Sequence, residues 1–250
     1  MAGGFVTDAT ALRSGDQEAR ALSDVASMST PGQEHRQDVR LDELISPAVS
    51  PLYDFTKRIV DVVISGAAMI VLSPVFAAVA LAVKLTSCGP VFFSQVRAGL
   101  NETPFTMYKF RSMKVGAETD REFLSHMNAQ GGPVFKAFQD PRLTPIGRFL
   151  RRSSIDELPQ LLNVLVGRMT LVGPRPLWMP EARKVEGMAR LRTAVKPGLT
   201  CLWQVSGRSE LSYQEWVQLD LFYISRRSFL LDILIMIQTI PAVLSAHGAY

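Results

Sequence analysis

The chain has 250 residues, enough for one full hydrophobic core, and 47% of them are hydrophobic. Residues 1–50 hold eight acidic and four basic side chains, so against an overall net charge of +4 the remainder carries +8, a balance suited to phosphates, nucleotides or an anionic membrane surface. Two distant cysteines (Cys88, Cys201) exclude a disulfide framework and point to a reducing compartment, and three scattered histidines exclude a metal–histidine site.

Residues 1–50 are rich in Ala, Ser, Asp, Gln and Arg and nearly free of aromatic side chains, the composition of a disordered polar tail. No basic-then-apolar start is present, so no secretory signal is expected. An apolar run follows Lys57-Arg58, from Val62 to Val83. At about 1.5 Å per residue it is long enough to cross a bilayer core. Basic residues flank both ends, which leaves the orientation undecided, and Ser73-Pro74 interrupts the middle, where proline removes a helix hydrogen bond and bends the chain. A bent helix that enters and leaves by one face accounts for both features, and a spanning helix with a tolerated proline remains the alternative.

After Gly89-Pro90, the runs 91–95 and 105–111 alternate as a small β-hairpin about Gly99-Leu100-Asn101-Glu102. Lys109 and Arg111 share one face of its second strand by parity, either as a phosphate clamp or as a solvated face. Residues 114–133 read as helix and then loop, and the turn-rich segment 140–147 leads into a basic helix at 148–152. Next comes Ser154-Ile155-Asp156-Glu157-Leu158-Pro159-Gln160, which reads as a helix start, with Asp156 or Ser154 as cap and two carboxylates in the first turn. That position would place both at the positive end of a helix dipole. Arg175 is held between two prolines in Gly173-Pro174-Arg175-Pro176, and 196–200 and 204–208 read as loops. Residues 212–227 form a helix. The final apolar stretch, Phe229 to Leu244, carries Asp232, Gln238 and Pro241 and suits a helix lying on a membrane or packed in the core. Walker, dinucleotide-glycine, zinc and serine-elbow motifs are absent.

Lys109, Arg111, Arg151, Arg152 and Arg175 around two carboxylates suit phosphoryl transfer, where catalysis is mostly positioning and charge neutralisation. One carboxylate can hold Mg²⁺ with substrate phosphates and the other can attack phosphorus. The residue chemistry leaves the division of roles open. An apolar segment beside such a site points to a lipid substrate. Basic residues without interleaved exposed aromatics argue against nucleic acid.

From about Phe55 to Tyr250 the chain resembles the bacterial sugar transferases known as monotopic phosphoglycosyl transferases, or polyprenyl-phosphate hexose-1-phosphate transferases. The motifs that carry the resemblance run in order: Lys57-Arg58-Ile59-Val60-Asp61, Ser73-Pro74, Tyr108-Lys109-Phe110-Arg111-Ser112-Met113, Asp140-Pro141-Arg142, Ser154 to Gln160, Gly173-Pro174-Arg175-Pro176, Lys196-Pro197-Gly198 and Gln204-Val205-Ser206-Gly207-Arg208. The resemblance implies an α+β, mainly helical, monotopic membrane protein with one re-entrant helix broken at Ser73-Pro74, a small β-hairpin and interfacial amphipathic helices. Its organisation would be a polar tail (1–50), the membrane helix (51–90) and a catalytic domain on the cytoplasmic face of the bacterial inner membrane (91–250).

The implied reaction moves a hexose-1-phosphate from a UDP-sugar to undecaprenyl phosphate and releases UMP, as the first membrane step of exopolysaccharide or capsule assembly. It would be ping-pong and Mg²⁺-dependent, with Asp156 as nucleophile and Glu157 as its partner, both candidates for holding the metal. Lys109, Arg111, Arg151 and Arg175 carry over as phosphate ligands, and Pro197, Gly198 and Arg208 as weaker nucleotide ligands. Galactose or glucose is expected by analogy only, and a homodimer is one option for the oligomeric state. Two competing classes remain at this level: a membrane-attached glycosyltransferase that releases UDP, and a non-catalytic membrane scaffold in which Asp156-Glu157 only caps a helix.

Overall fold

The computed structural model describes residues 51–117, 140–207 and 211–244. The expected tail (1–50), most of the expected helix–loop at 114–133, and Arg208 lie outside the described residues. Mainly helical, with a two-stranded antiparallel sheet, the chain is α+β as expected.

Helix α1 (Pro51–Val71) meets α2 (Ser73–Thr86) at a 60° bend. In a continuous helix the Ile70 carbonyl would bond the N–H of residue 74, and Pro74 has none. The Ser73 hydroxyl donates to Ile70 O instead (2.8 Å), so the bend leaves that carbonyl satisfied. Among the described residues no single helix is long and apolar enough to cross a membrane, whereas this bent pair together is, by length and composition.

Polar groups on the first turns of α1 stitch it to the rest of the chain. Arg58 donates to Val164 O and Leu165 O (both 2.7 Å), and buried Asp61 accepts from Thr170 Oγ1 (2.7 Å) and Leu171 N (2.8 Å). Lys57 (2.6 Å) and Tyr53 (2.9 Å) donate to Asp232 Oδ2. The outer face is apolar, with Phe55, Val63, Ile70 and Val71 exposed. Helix α2 turns back, and its Val79 and Val83 pack with Phe110 and Leu150.

Strands β1 (Phe92–Ala98) and β2 (Pro104–Phe110) pair antiparallel, Phe92 opposite Phe110 and Ala98 opposite Pro104. The connecting turn holds Asn101 and Glu102 at positive φ (50° and 59°). On the free edge of β2, the Asn163 amide donates to Thr106 O (2.7 Å) and accepts from Tyr108 N (3.1 Å). That contact seats α4 (Gln160–Leu165) against the strand, downstream of α3 (Pro145–Arg152).

A second pair, β3 (Thr170–Val172) and β4 (Gly198–Thr200), is parallel. The sequence reading placed loops at 196–200 and 204–208. Instead β4 occupies the first, and α6 (Leu202–Ser206) most of the second. Three-residue strands and five-residue helices are too short to show a period. The short helix α5 (Met179–Ala182) precedes a 3-10 segment, Gly187–Thr193.

Helix α7 (Tyr213–Arg226) begins with a Ser212–Glu215 capping box, and α8 (Phe229–Leu244) ends the described chain. Asp232 and Ile235 face inward on α8 while Leu230, Leu234, Ile237 and Ile240 are exposed, so one face packs on the core and the other is bare and apolar.

Besides Tyr53 and Lys57, Asp232 accepts from the Tyr223 hydroxyl (2.8 Å). Asp232→Ala is expected to strand the Lys57 ammonium in a half-buried site and cost about 3 kcal/mol, read as a lowered melting temperature of detergent-solubilised protein, with Asp232→Asn losing less.

Candidate active site

Four segments converge on Asp156 and Glu157: β2, α3, the 3-10 turn Ile155–Glu157 and the proline loop after β3. Ser154 turns the chain out of α3 with φ 56°, a left-handed conformation that costs a non-glycine residue roughly 1 kcal/mol and that clusters at functional sites. The expected helix start is divided in two. Pro159 cannot donate to Ile155 O, so Leu158 N takes that carbonyl (3.2 Å) in 3-10 fashion, and the α-helix begins only after Pro159. Ser154 stands at the cap position of the turn but makes no side-chain cap bond, and Asp156 lies inside the turn. With so short a turn and helix, burial and neighbouring cations govern the carboxylates, in place of the helix dipole expected.

The two carboxylates have opposite surroundings. Glu157 Oε1 accepts from Lys109 Nζ (2.7 Å) and Arg175 Nη2, and Oε2 accepts from Arg175 Nη1 (3.1 Å). Buried Asp156 has its Oδ2 at 4.0 Å from Lys109 Nζ, and its carboxylate accepts no hydrogen bond among those of the described residues. Burial pushes the Asp156 carboxyl up, against the pull of Lys109. Burial acts upward on Glu157 too, but the charges and hydrogen bonds of Arg175 and Lys109 outweigh it and hold that carboxyl well below the usual range. Burial lowers Lys109 although both carboxylates favour its charge. Paired groups driven apart in this way mark a division of chemical labour.

The other expected ligands are distributed unevenly. Arg151 donates to Ser112 Oγ (3.1 Å) and its charge reaches Asp156. Arg111 falls one residue past the end of β2, and its guanidinium turns to Cys88 O (3.5 Å), away from the dyad. Arg152 is exposed. Pro197 and Gly198 act through the backbone: Pro197 O accepts from Thr170 N (2.9 Å), and Gly198 N donates to Pro174 O (2.9 Å). A Cβ on Gly198 would collide with the backbone N and O of Gly173, so this close approach, which fixes the loop carrying Arg175, requires glycine.

Two cations escaped sequence reasoning. Arg97 on β1 donates to Pro176 O (3.1 Å), and its charge reaches Lys109; strand parity with Phe93 and Gln95 was the available signal. Arg192 is buried, with Nη2 on Asp220 Oδ2 (2.5 Å) and on Arg175 O (3.3 Å). Nothing in the local pattern of the sequence joins it to Asp220, 28 residues on.

Buried carboxylates set among cations, on a body carrying a bent apolar helix pair, make a site for phosphorylated substrates. Residues 52–246 match the bacterial sugar transferase family, and the chain belongs to that family and is a transferase. Over 207 residues it is 40% identical to the exopolysaccharide production protein ExoY of Sinorhizobium fredii, covering 81% of this chain and 92% of that protein. Identity to the galactosyl transferase CpsE of Streptococcus agalactiae is 47% over 162 residues, 64% of this chain and 36% of that one. The UDP-glucose:undecaprenyl-phosphate glucose-1-phosphate transferase of Escherichia coli is 41% identical over 219 residues, 80% of this chain and 44% of that one. The chain thus spans less than half the length of the latter two.

Burial pushes the Asp220 carboxyl up to about 6 despite its pairing with Arg192. The unfolded value is about 4, so between these values the folded chain binds the extra proton, and this group's contribution to stability is lost as the pH rises through about 6. The melting temperature of the wild type is expected to fall across that interval more steeply than that of Asp220→Asn.

Proposed function

We propose that this phosphoglycosyl transferase moves a hexose-1-phosphate from a UDP-sugar to undecaprenyl phosphate, as the first membrane step of exopolysaccharide or capsule assembly. The unequal surroundings of the dyad carry the reading. A nucleophile needs a free lone pair, and Asp156 is the carboxylate without a hydrogen bond among the described residues. Its Oδ attacks the β-phosphorus of the donor, the bond from that phosphorus to the bridging oxygen breaks, and UMP leaves. A phosphate oxygen of the lipid then attacks the phosphosugar–Asp156 intermediate, and the carboxylate is regenerated. Glu157 stays ionised and holds Lys109 and Arg175 toward the phosphates, where they neutralise developing charge.

The donor set fits Mg²⁺ in one mode only. No cluster of three or more acidic, His or Cys side chains exists among the described residues, so the ion would rest on Asp156, with Glu157 beside it, and on substrate oxygens. When bound it would neutralise the donor diphosphate. Relatives named for UDP-glucose:undecaprenyl-phosphate glucose-1-phosphate transfer and for galactose phosphotransfer support the substrate class.

The same reading places the bent pair in the membrane as a re-entrant helix, with the catalytic body on the cytoplasmic face. Both limbs pack on that one body, α1 against α4 and β3, α2 against α3 and β2, and the bare apolar face of α8 suits the interface.

Asp156→Asn is expected to lower turnover by on the order of a thousandfold or more while leaving the melting temperature within a few degrees. UMP and UDP would be quantified separately with UDP-glucose or UDP-galactose, Mg²⁺ and undecaprenyl phosphate. Retained activity in the variant, or UDP as the wild-type product, overturns the mechanism. In a Cys88→Ser background, single cysteines at the exposed positions 54 and 84, at the two outer ends of the bent pair, are expected to label from the cytoplasmic side only, and labelling from opposite sides rejects re-entry.

A further inference from the structure

From Ile155 to Leu165 the backbone stays right-handed and helical, because Leu158 (φ −53°, ψ −36°) and Pro159 (φ −61°, ψ −16°) carry the 3-10 turn directly into α4. Residues three and four apart on such a run share one face, and that puts Asp156, Glu157, Gln160 and Asn163 on one side of it. Two contacts turn this side toward β2: Glu157 is bound by Lys109 (2.7 Å), and Asn163 bonds Thr106 O and Tyr108 N. Gln160 lies between them, one turn from each, and is 1% exposed. Whereas Asn163 uses both ends of its amide, the amide nitrogen of Gln160 is buried without a hydrogen-bond partner among the described residues. A buried donor left unpaired is costly and rare in folded chains. On the same face, the buried Asp156 carboxylate accepts no hydrogen bond among those of the described residues. An unfilled donor and an unfilled acceptor thus stand four residues apart on one buried face.

We propose that Gln160 is a positioning residue for the nucleophile: its amide N–H donates to the Asp156 oxygen that does not attack, and holds that oxygen when it becomes the carbonyl of the phosphosugar–Asp156 intermediate. The inference rests on the reading proposed above and adds to it a donor for Asp156 as a leaving group. Cβ atoms four residues apart on a helix are about 5–6 Å apart, and the two methylenes and amide of glutamine span that gap by rotation between staggered conformers. An ionised carboxylate has about four lone-pair sites, so this bond leaves the attacking oxygen free. In the second half-reaction a bond forms from the lipid phosphate oxygen to phosphorus, the bond from phosphorus to Asp156 breaks, and its electron pair returns to the carboxylate. A fixed N–H at the other oxygen stabilises that returning charge. In the first half-reaction charge leaves the carboxylate, so the donor gives no advantage there. The effect of Gln160 therefore falls on the transfer to lipid.

Full-length detergent-solubilised wild type and Gln160→Met, which keeps the side-chain length and loses the amide, would be given a UDP-sugar labelled in the sugar, with Mg²⁺ and no lipid. UMP and protein-bound label would be followed over one turnover, and undecaprenyl phosphate then added to time the release of label from the protein. UMP formation is expected to stay near the wild-type rate. Transfer to lipid is expected to slow by about tenfold to a hundredfold, the loss of one charge-assisted hydrogen bond. The melting temperature is expected to hold or rise, since an unpaired buried amide is removed. Gln160→Leu gives the same comparison should Gln160→Met fail to fold. Unchanged rates for both steps overturn the proposal. Equal slowing of both steps assigns Gln160 to packing and overturns the positioning role. Slowed UMP formation with unchanged transfer puts the amide on the donor phosphates and overturns it as well. A wild type that carries no label, or that releases UDP, would instead reject the phosphosugar-transfer reading, a failure distinct from any of these.

Discussion

The Glu157 carboxylate is the fastening on which the site depends. One side chain joins Lys109, from the hairpin, to Arg175, from the loop between β3 and the short helix α5. Two cations this close would repel each other and lower their combined charge; a fully ionised acid between them lets both persist. Removing that acid would free Lys109 to close on Asp156, now 4.0 Å away, and engage the one dyad carboxylate that accepts no hydrogen bond among the described residues. Glu157 thus keeps Asp156 unpaired by occupying its competitors.

Support for this fastening comes from main-chain contacts. The Asn163 amide binds β2 and so sets the turn bearing the dyad against Lys109. Gly198 lets β4 approach Gly173 closely enough to hold the proline loop, and Arg192 secures the Arg175 carbonyl. The same β3 strand is gripped by Asp61 of α1. The first turns of the apolar helix pair are therefore built into the frame of the site, which gives the body a fixed bearing relative to whatever surface that pair enters.

Much of this was legible in the chain. Ser73-Pro74 announces a break because proline lacks a donor, and strand alternation yields the hairpin, though it left the face of Lys109 open between a phosphate clamp and solvent. The acidic pair among arginines points to phosphate chemistry. Parity failed for Arg111 because it cannot tell where a strand stops, and β2 stops at Phe110. The cap at Ser154 or Asp156 failed because Pro159 diverts hydrogen bonding into a 3-10 turn, an effect of one missing N–H that composition does not register. β3, β4 and α6 are shorter than any period. Arg192 and Asp220 meet only through tertiary packing, and sequence alone does not distinguish a buried arginine from a surface one.

The Asn163 amide has a further consequence. A two-stranded ribbon is marginal by itself, and its open edges invite strands from other molecules. Here the outer edge of β2 is occupied by a side chain that mimics a strand, donating to Thr106 O and accepting from Tyr108 N. The outer edge of β1 is met near its end by Leu177 and Trp178, with Ala98 N on Leu177 O at 2.9 Å. Both edges are thus partly closed from within the chain, and the hairpin that carries Lys109 is shielded from strand exchange between copies.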